Sequence, residues 1–569
     1  MRILTTLLAL ASLAPALMAG LTPDQKEFDL RILAAQYAKY YAPYQWKQEF
    51  TGFDLYNLGP WIARARAAKT DMDFYQVCGE YVASLEDSHS SFSSPSLYRL
   101  SLPLHADYYQ DVPRIDAITR ALLPVSRFPF QIGDEIVAVD GVPIAQAVAA
   151  NSLTVASGNH SARRRTALQR VFSTSEASNP RAGAIGDEVA LTIRSRATGE
   201  EAVYAIPVTK FGVPLAEGGT TPSPAFRASP QAAASGDSED IVSPWLAPLA
   251  EFRNLRLPSR EPEPELPGVP AVLGFGIRPG FPLPTGFVQR LGRLSTDSFF
   301  SGTYNAGGKR IGFIRIPTFA PSAGAAASLR QFDTEIQFFN DNTDGLVIDI
   351  MRNGGGDGCY TEELLRRLIP YSFQGVAVEV RASFRIVSAF YNTWQRAIAL
   401  DAPPHVIALL ESHYRNVESA YRELRGRSGP VPICTESLER LPHPLAYSKP
   451  LVLVADEYSA SASDIFSAVI QDSRRGPLFG NRTNGAGGAV NGFDVGPYSE
   501  ASASVTVSLL VRTGPVSIPG YPTTSYLENV GVYPDMPHDF MSLDNLLSGG
   551  TLFRDAVTDA ILQQIATVP

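Results

Sequence analysis

Three compact apolar runs, "KRIGFIRIPTF" (309–319), "DGLVIDI" (344–350) and "KPLVLVADE" (449–457), lack the polar alternation of a strand with one wet face. A strand that is apolar on both faces must be covered on both, which is the condition of a parallel sheet between helical layers. Helical text separates the runs: "AAASLRQFDTEIQFFND", then "YTEELLRRLI" and "VIALLESHYRNVESAYRELRG". Buried strands alternating with helices predict an α/β core. The 569-residue chain is 45% hydrophobic, enough for that core and further domains. Its net charge of -9 and pI near 5.4 leave no basic surplus to neutralise phosphates, so a nucleic-acid partner is not expected.

The chain opens on "MRILTTLLALASLAPALMAG", one arginine, an apolar run and small residues, the pattern of a secretory signal over residues 1–20. The run is shorter than the roughly 18 to 20 apolar residues a spanning helix needs, and no later run is long enough. Export to the periplasm or the extracellular space is the expectation. Residues 21–105 are helical in periodicity: "DLRILAAQYAKYYAPY" and "DMDFYQVCGEYVASLED" repeat apolar residues at three- and four-residue spacing. The second stretch runs into a polar loop, "EDSHSSFSSPS". A β-rich unit follows over 106–211, with two strands around Asp140-Gly141 in "FQIGDEIVAVDGVPI", a helical insertion near 152–177 and a closing hairpin around "RATGEE". Its G-D-x-I-x-x-V-D-G-x-P stretch resembles that of PDZ domains. Residues 212–267 are rich in Pro, Ala, Ser and Glu and read as a linker or insertion. The catalytic region is expected over 268–569. Three cysteines, Cys78, Cys359 and Cys434, allow at most one disulfide, and their spacing fits no metal site.

Two loops leave the ends of the predicted strands. "MRNGGGDG" brings Gly354, Gly355 and Gly356 after one, where backbone amides can approach a ligand closely. "YSASASDIF" follows the next and sets Ser461 near a helix start, where outward-pointing amides favour an anion. A serine facing a glycine loop is the arrangement acyl transfer needs: an attacking oxygen and N–H groups for the oxyanion. Each signal alone is common, since glycines fill turns and serine is a preferred helix cap.

Their order resembles that of the tail-specific, or C-terminal processing, serine peptidases. "MRNGGG" (351–356), "SASASDIF" (459–466), "GNRTNGAGG" (480–488) and "ENVGVYPD" (528–535) match four of that family's motifs in sequence. The resemblance covers most of the chain except 212–267 and a helical insert around 390–430. It implies a crotonase-like ββα superhelix as catalytic core, with an N-terminal helical segment and a PDZ-like β-rich unit, and it sets the nucleophile on Ser461. The bacterial enzymes use a lysine base in T-x-G-K-G, but Ala486 stands there in this chain. The lysine-free branch, with the tricorn core protease and the chlamydial protease-like activity factor, uses Ser-His-Glu. Carried over, it implies His89 as base and Glu528 as the residue that orients it, with oxyanion donors at Ala462 and at Gly355 or Gly356. Ser88 is placed to add a hydrogen bond to His89 or Glu528, Asp464 to support the helix start, and Asp357 to shape a turn. His105, His160, His405, His413, His443 and His538 sit in no matching motif.

The resulting expectation is an exported serine endopeptidase acting on protein or peptide substrates, without metal or organic cofactor. The alternative is a non-catalytic ligand- or peptide-binding protein on the same fold. The sequence leaves the oligomeric state open, a homodimer included. A histidine base predicts an acid limb in the activity profile near the ordinary histidine value of about 6.5, and self-cleavage within 212–267 is one route to activation.

Overall fold

The computed structural model describes residues 20–215, 240–257 and 276–567. Most of the expected secretory segment, residues 1–19, lies outside the described residues, as do 216–239 and 258–275 of the region around the expected linker.

The architecture is mixed α/β. Its central sheet has seven strands in the order Val288–Leu291, Phe300–Ala306, Lys309–Arg315, Gly345–Asp349, Leu451–Ala455, Leu478–Gly480 and Met536–Pro537. The three apolar runs lie side by side, and every pairing from Lys309–Arg315 to Met536–Pro537 is parallel. Alternate residues of these strands feed two different hydrophobic clusters. Leu346, Ile348, Leu451 and Leu453 face the helix Ala325–Asn342 through Phe332 and Ile336, whereas Val347, Val452 and Val454 meet Phe553, Val557 and Ile561 of the terminal helix Thr551–Thr567. Both faces are covered, which is why the runs show no alternation.

Four helices, Pro23–Tyr40, Tyr44–Thr51, Gly59–Ala67 and Asp71–Ala83, make up the N-terminal region. Thr22 and Thr70 close capping boxes at the first and last of them. Leu30, Leu33, Ala34 and Tyr37 on one helix, and Phe74, Val77, Cys78 and Tyr81 on another, join the same cluster as Ile348 and Leu453. The region shares the core of the central sheet rather than building its own. The strand Phe92–Ser93 pairs with Ser502–Thr506, and Tyr37 donates to the Ser504 carbonyl at 2.7 Å, so the "EDSHSS" loop is pinned against the C-terminal α/β region.

The β-rich unit has a separate core. Its sheet runs Leu104–Tyr109, Val112–Ile118, Glu135–Val139, Glu188–Arg194, Glu201–Pro207, with Val142–Pro143 paired to Glu135–Val139 across Asp140-Gly141. The insertion forms the helix His160–Phe172. The other helical insert folds as the antiparallel pair Phe384–Ala399 and Pro404–Arg422.

Part of the span read as a linker is built into the core. Pro244–Phe252 is helical and buries Leu246, Leu249 and Phe252, and Asn254–Arg256 forms a strand. The Pro/Ala/Ser/Glu composition of the whole span masks this short apolar stretch, "WLAPLAEFRNL".

Candidate active site

Ser461 ends the loop between the strand Leu451–Ala455 and the helix Ala462–Asp472. The Asp456 carboxylate organises that loop, accepting from the Arg352 and Tyr458 amides at 2.8 and 3.1 Å and from the Ser459 hydroxyl at 3.1 Å. Ser461 itself has φ 63° and ψ −110°. A β-substituted residue pays about 1–3 kcal/mol for such backbone, which persists only when its surroundings over-determine it. Asp464 supplies the constraint. Its carboxylate accepts from the Ser461 amide at 2.6 Å, the Thr483 hydroxyl at 2.5 Å, and the amides of Gly485 and Ala486 at 2.9 and 3.0 Å. Burial pushes Asp464 up to about 6 against those four donors. The support expected of it therefore extends to the "TNGAGG" loop. Ser459 and Ser463 are spoken for by backbone carbonyls, at Ile350 and Asn353 respectively.

His89 Nε2 lies 2.7 Å from Ser461 Oγ. Residues 372 apart in sequence are thus brought into hydrogen-bond contact. The histidine is held through its backbone: its amide donates to Asp87 at 2.8 Å and its carbonyl accepts from the Ser504 hydroxyl at 2.6 Å. Asp87 is in turn fixed by the hydroxyls of Thr506 and Ser90. Burial pushes the imidazole down to about 4, the Asp87 charge opposing and the Lys47 charge reinforcing the shift. The imidazole is therefore neutral at physiological pH, and the ordinary histidine value does not describe it.

Glu528 is buried in the same region, but its two oxygens are engaged elsewhere. Oε1 accepts from Lys47 Nζ at 2.5 Å and Oε2 from the Gly487 amide at 2.8 Å. Burial, reinforced by Asp87 and opposed by Lys47, pushes the carboxyl up to about 7. His89 Nδ1 is buried with no hydrogen-bond partner among the described residues. The serine–histidine contact is made; a histidine–glutamate hydrogen bond is not. Ser88 does not reach either residue, because its hydroxyl donates to Asn484 at 2.7 Å.

The glycine loop faces Ser461. A Cβ on Gly355, at φ 95°, would come within 2.9 Å of the Ser461 Cβ and 2.2 Å of the Leu255 carbonyl oxygen. One on Gly356, at φ 157°, would strike the Phe319 backbone at 2.0 Å. Only glycine fits either position. The Gly355 amide is committed to the Asn353 side chain at 2.9 Å. Ala462 is the first residue of its helix, so its N–H has no intrahelical acceptor. Asp357 caps the helix Gly358–Arg366 rather than only turning the chain, accepting from the Cys359 and Tyr360 amides. Cys359 is disulfide-bonded to Cys434, and Cys78 is a buried thiol.

The site is covered. The strand Asn254–Arg256 lies antiparallel on Gly355–Asp357, with Leu255 opposite Gly356. Ser461 and His89 are both 0% exposed.

Sequence reasoning missed Lys47, Asp87 and this covering strand. The Asp-x-His spacing of "EDSHSS" is a signal for Asp87; nothing near Lys47 marks it. Of the other histidines, His105 pairs with Asp116 at 2.7 Å, His413 contacts the Glu436 carbonyl, and His538 stacks on Phe479.

Residues 310–536 match the model of Peptidase family S41. A protein of Chlamydia trachomatis (serovar D) is 26% identical over 92% of this chain and 90% of its own length. One of Chlamydia pneumoniae is 25% identical over 96% and 91%. Among solved structures, mature CPAF superposes with a TM-score of 0.74 at 21% identity, over 96% of this chain and 98% of that one. Its complex with lactacystin gives 0.73 at the same identity, over 96% and 99%.

Proposed function

We propose that the protein is an exported serine endopeptidase whose nucleophile is Ser461 and whose base is His89, taking as premise the match of residues 310–536 to Peptidase family S41. The observation that carries the assignment is the 2.7 Å contact between His89 Nε2 and Ser461 Oγ. Oγ attacks the peptide carbonyl carbon as Nε2 takes its proton. The oxyanion is received by the N–H groups of Ala462 and, once Asn254–Arg256 no longer pairs with it, Gly356. Gly355, whose amide already has a partner, contributes by its lack of a side chain. His89 returns the proton to the leaving amine; water then attacks the acyl-enzyme, again giving a proton to Nε2, and Ser461 is regenerated. Glu528 is the carboxylate that steadies the imidazolium, accepting from Nδ1 once the site is organised around substrate. We read the core as crotonase-like and the 106–211 unit as PDZ-like, on the motifs that carry those resemblances.

Export is supported by the opening sequence and by the Cys359–Cys434 disulfide, a bond that persists in oxidising compartments. No helix among the described residues is long and apolar enough to cross a membrane.

The covering strand bears on when the enzyme works. A substrate cannot reach Gly356 while Leu255 is paired opposite it, so activity requires Asn254–Arg256 to leave. Cleavage within 212–267 is the proposed release. The test is casein hydrolysis by the full chain: it is expected to accompany nicking in wild type and to be lost in Ser461→Ala. An intact single chain with full activity sinks the release step; undiminished activity in Ser461→Ala sinks the nucleophile.

A further inference from the structure

One buried cation stands beside the relay and has no part in the proton transfer. The second helix, Tyr44–Thr51, aims Lys47 inward, and its side chain is 0% exposed against a Glu528 side chain that is 1% exposed. Its ammonium makes three hydrogen bonds: to Glu528 Oε1 at 2.5 Å, to Asn529 Oδ1 at 2.7 Å and to the Glu86 carbonyl at 2.8 Å. Glu86 lies three residues before His89, so one ammonium spans both the histidine loop and the glutamate turn. The clasp is reinforced around it. Asn529 Nδ2 donates to the same Glu86 carbonyl at 2.8 Å, and Trp46, next to Lys47, donates to the Glu528 carbonyl at 3.1 Å. Three donors with three acceptors leave the ammonium no lone pair and no vacancy for a proton-accepting role.

We propose that Lys47 is a positioning residue of the peptidase, which ties the His89 loop to the Glu528 turn and keeps Glu528 charged in a buried site. This rests on the Ser461-His89-Glu528 reading. The charge arithmetic gives the reason. The titratable groups facing one another here are Tyr41 just past the first helix, Lys47 from the second, Asp87 and His89 from the loop, and Glu528 from its turn. With both carboxylates ionised and His89 neutral, the cluster carries one net negative charge. Proton transfer from Ser461 makes His89 positive and the cluster neutral, so the charge that develops in the transition state is the one the site lacks at rest. Without Lys47 the same pocket holds two buried carboxylates near each other. Like charges out of water do not both stay ionised, and Glu528, already pushed up by burial, is the one that takes a proton. A protonated Glu528 no longer balances an imidazolium.

The test needs no known substrate. Second-order labelling of Ser461 by a fluorophosphonate is followed from pH 5 to 9 in the full chain, in whichever form of the wild type labels, intact or nicked. Variants are Lys47→Met, Lys47→Arg, Glu528→Gln and the double Lys47→Met/Glu528→Gln. Lys47→Met is expected to slow labelling at pH 7 by roughly 10²-fold and to move the acid limb upward by more than one pH unit. Lys47→Arg, which keeps the charge, is expected to return the limb toward wild type. The double variant should label no more slowly than Glu528→Gln alone, because Lys47 acts through Glu528. It also removes both buried charges together, so it answers the question if Lys47→Met fails to fold. An unmoved acid limb in Lys47→Met, or a double variant slower than Glu528→Gln by tenfold or more, overturns the proposal. Glu528→Gln labelling at the wild-type rate overturns the triad reading instead, and the two failures are thereby told apart.

Discussion

The two halves of the site are built differently. The nucleophile half is local: Ser461, its strained backbone and its Asp464 clamp all come from the serine loop and the adjoining "TNGAGG" turn. The relay half draws on the second helix for Lys47, the polar loop for Asp87 and His89, and the late turn for Glu528 and Asn529, with the Gly487 amide reaching Glu528 from the "TNGAGG" turn. The nucleophile half has its serine, backbone and clamp in place, under the covering strand Asn254–Arg256. The relay half is poised, with His89 Nδ1 bare and Glu528 held by Lys47. A local motif can fix where an oxygen sits; moving a proton through a buried site takes charges from several segments whose sum has to balance.

The largest expected effect strikes where the halves meet. Ser461→Ala and His89→Ala should each lower casein hydrolysis by up to about 10⁶-fold, as when a unit that acts together loses one member. Their double variant should be no worse than either single one. Additive losses would mean that the 2.7 Å contact does not couple them.

Glu528→Gln comes next, at roughly 10⁴-fold in kcat with little change in KM, because an amide cannot balance an imidazolium. A drop below tenfold would shift the orienting role to Asp87.

The pH profile separates the halves by sign. On the proposed triad, activity requires a neutral His89 and an ionised Glu528. His89, pushed down to about 4, is neutral throughout the working range; Glu528, pushed up to about 7, becomes charged only as pH rises through that value. kcat/KM should therefore fall on acidification with a midpoint near 7, and the residual activity of Glu528→Gln should show no limb there. A limb that survives the substitution unchanged belongs to another group.

Ser459→Ala is the smallest effect, since its hydroxyl contacts Ile350 and Asp456 rather than Ser461. Turnover should stay within a few-fold of wild type while stability drops by about 1–3 kcal/mol from the partners left unsatisfied, read by thermal unfolding.

Legibility in the sequence follows the same division. The parallel strands announce themselves because burial on both faces leaves unbroken apolar runs such as "LVIDI", and the hairpin at Asp140-Gly141 because its turn requires positive φ at both residues. Ser461 and the glycines are legible for the same local reason. His89 and Glu528 emerge only through a motif resemblance, since nothing in "EDSHSS" or "ENVG" alone says that they lie in one cluster. Lys47 is hidden more deeply. A lysine in "YQWKQEFT" reads as a solvated helix face, and only the tertiary packing of that helix turns it inward. The strand Asn254–Arg256 is masked by the composition of its neighbours.

The central claim is that His89 activates Ser461, and one comparison tests it most directly: fluorophosphonate labelling at pH 8, mapped to the modified residue by mass spectrometry, in wild type against His89→Ala. The account predicts label on Ser461 in wild type and a rate at least 10³-fold lower without the histidine. Equal rates in the two proteins, or label on another serine, would contradict it.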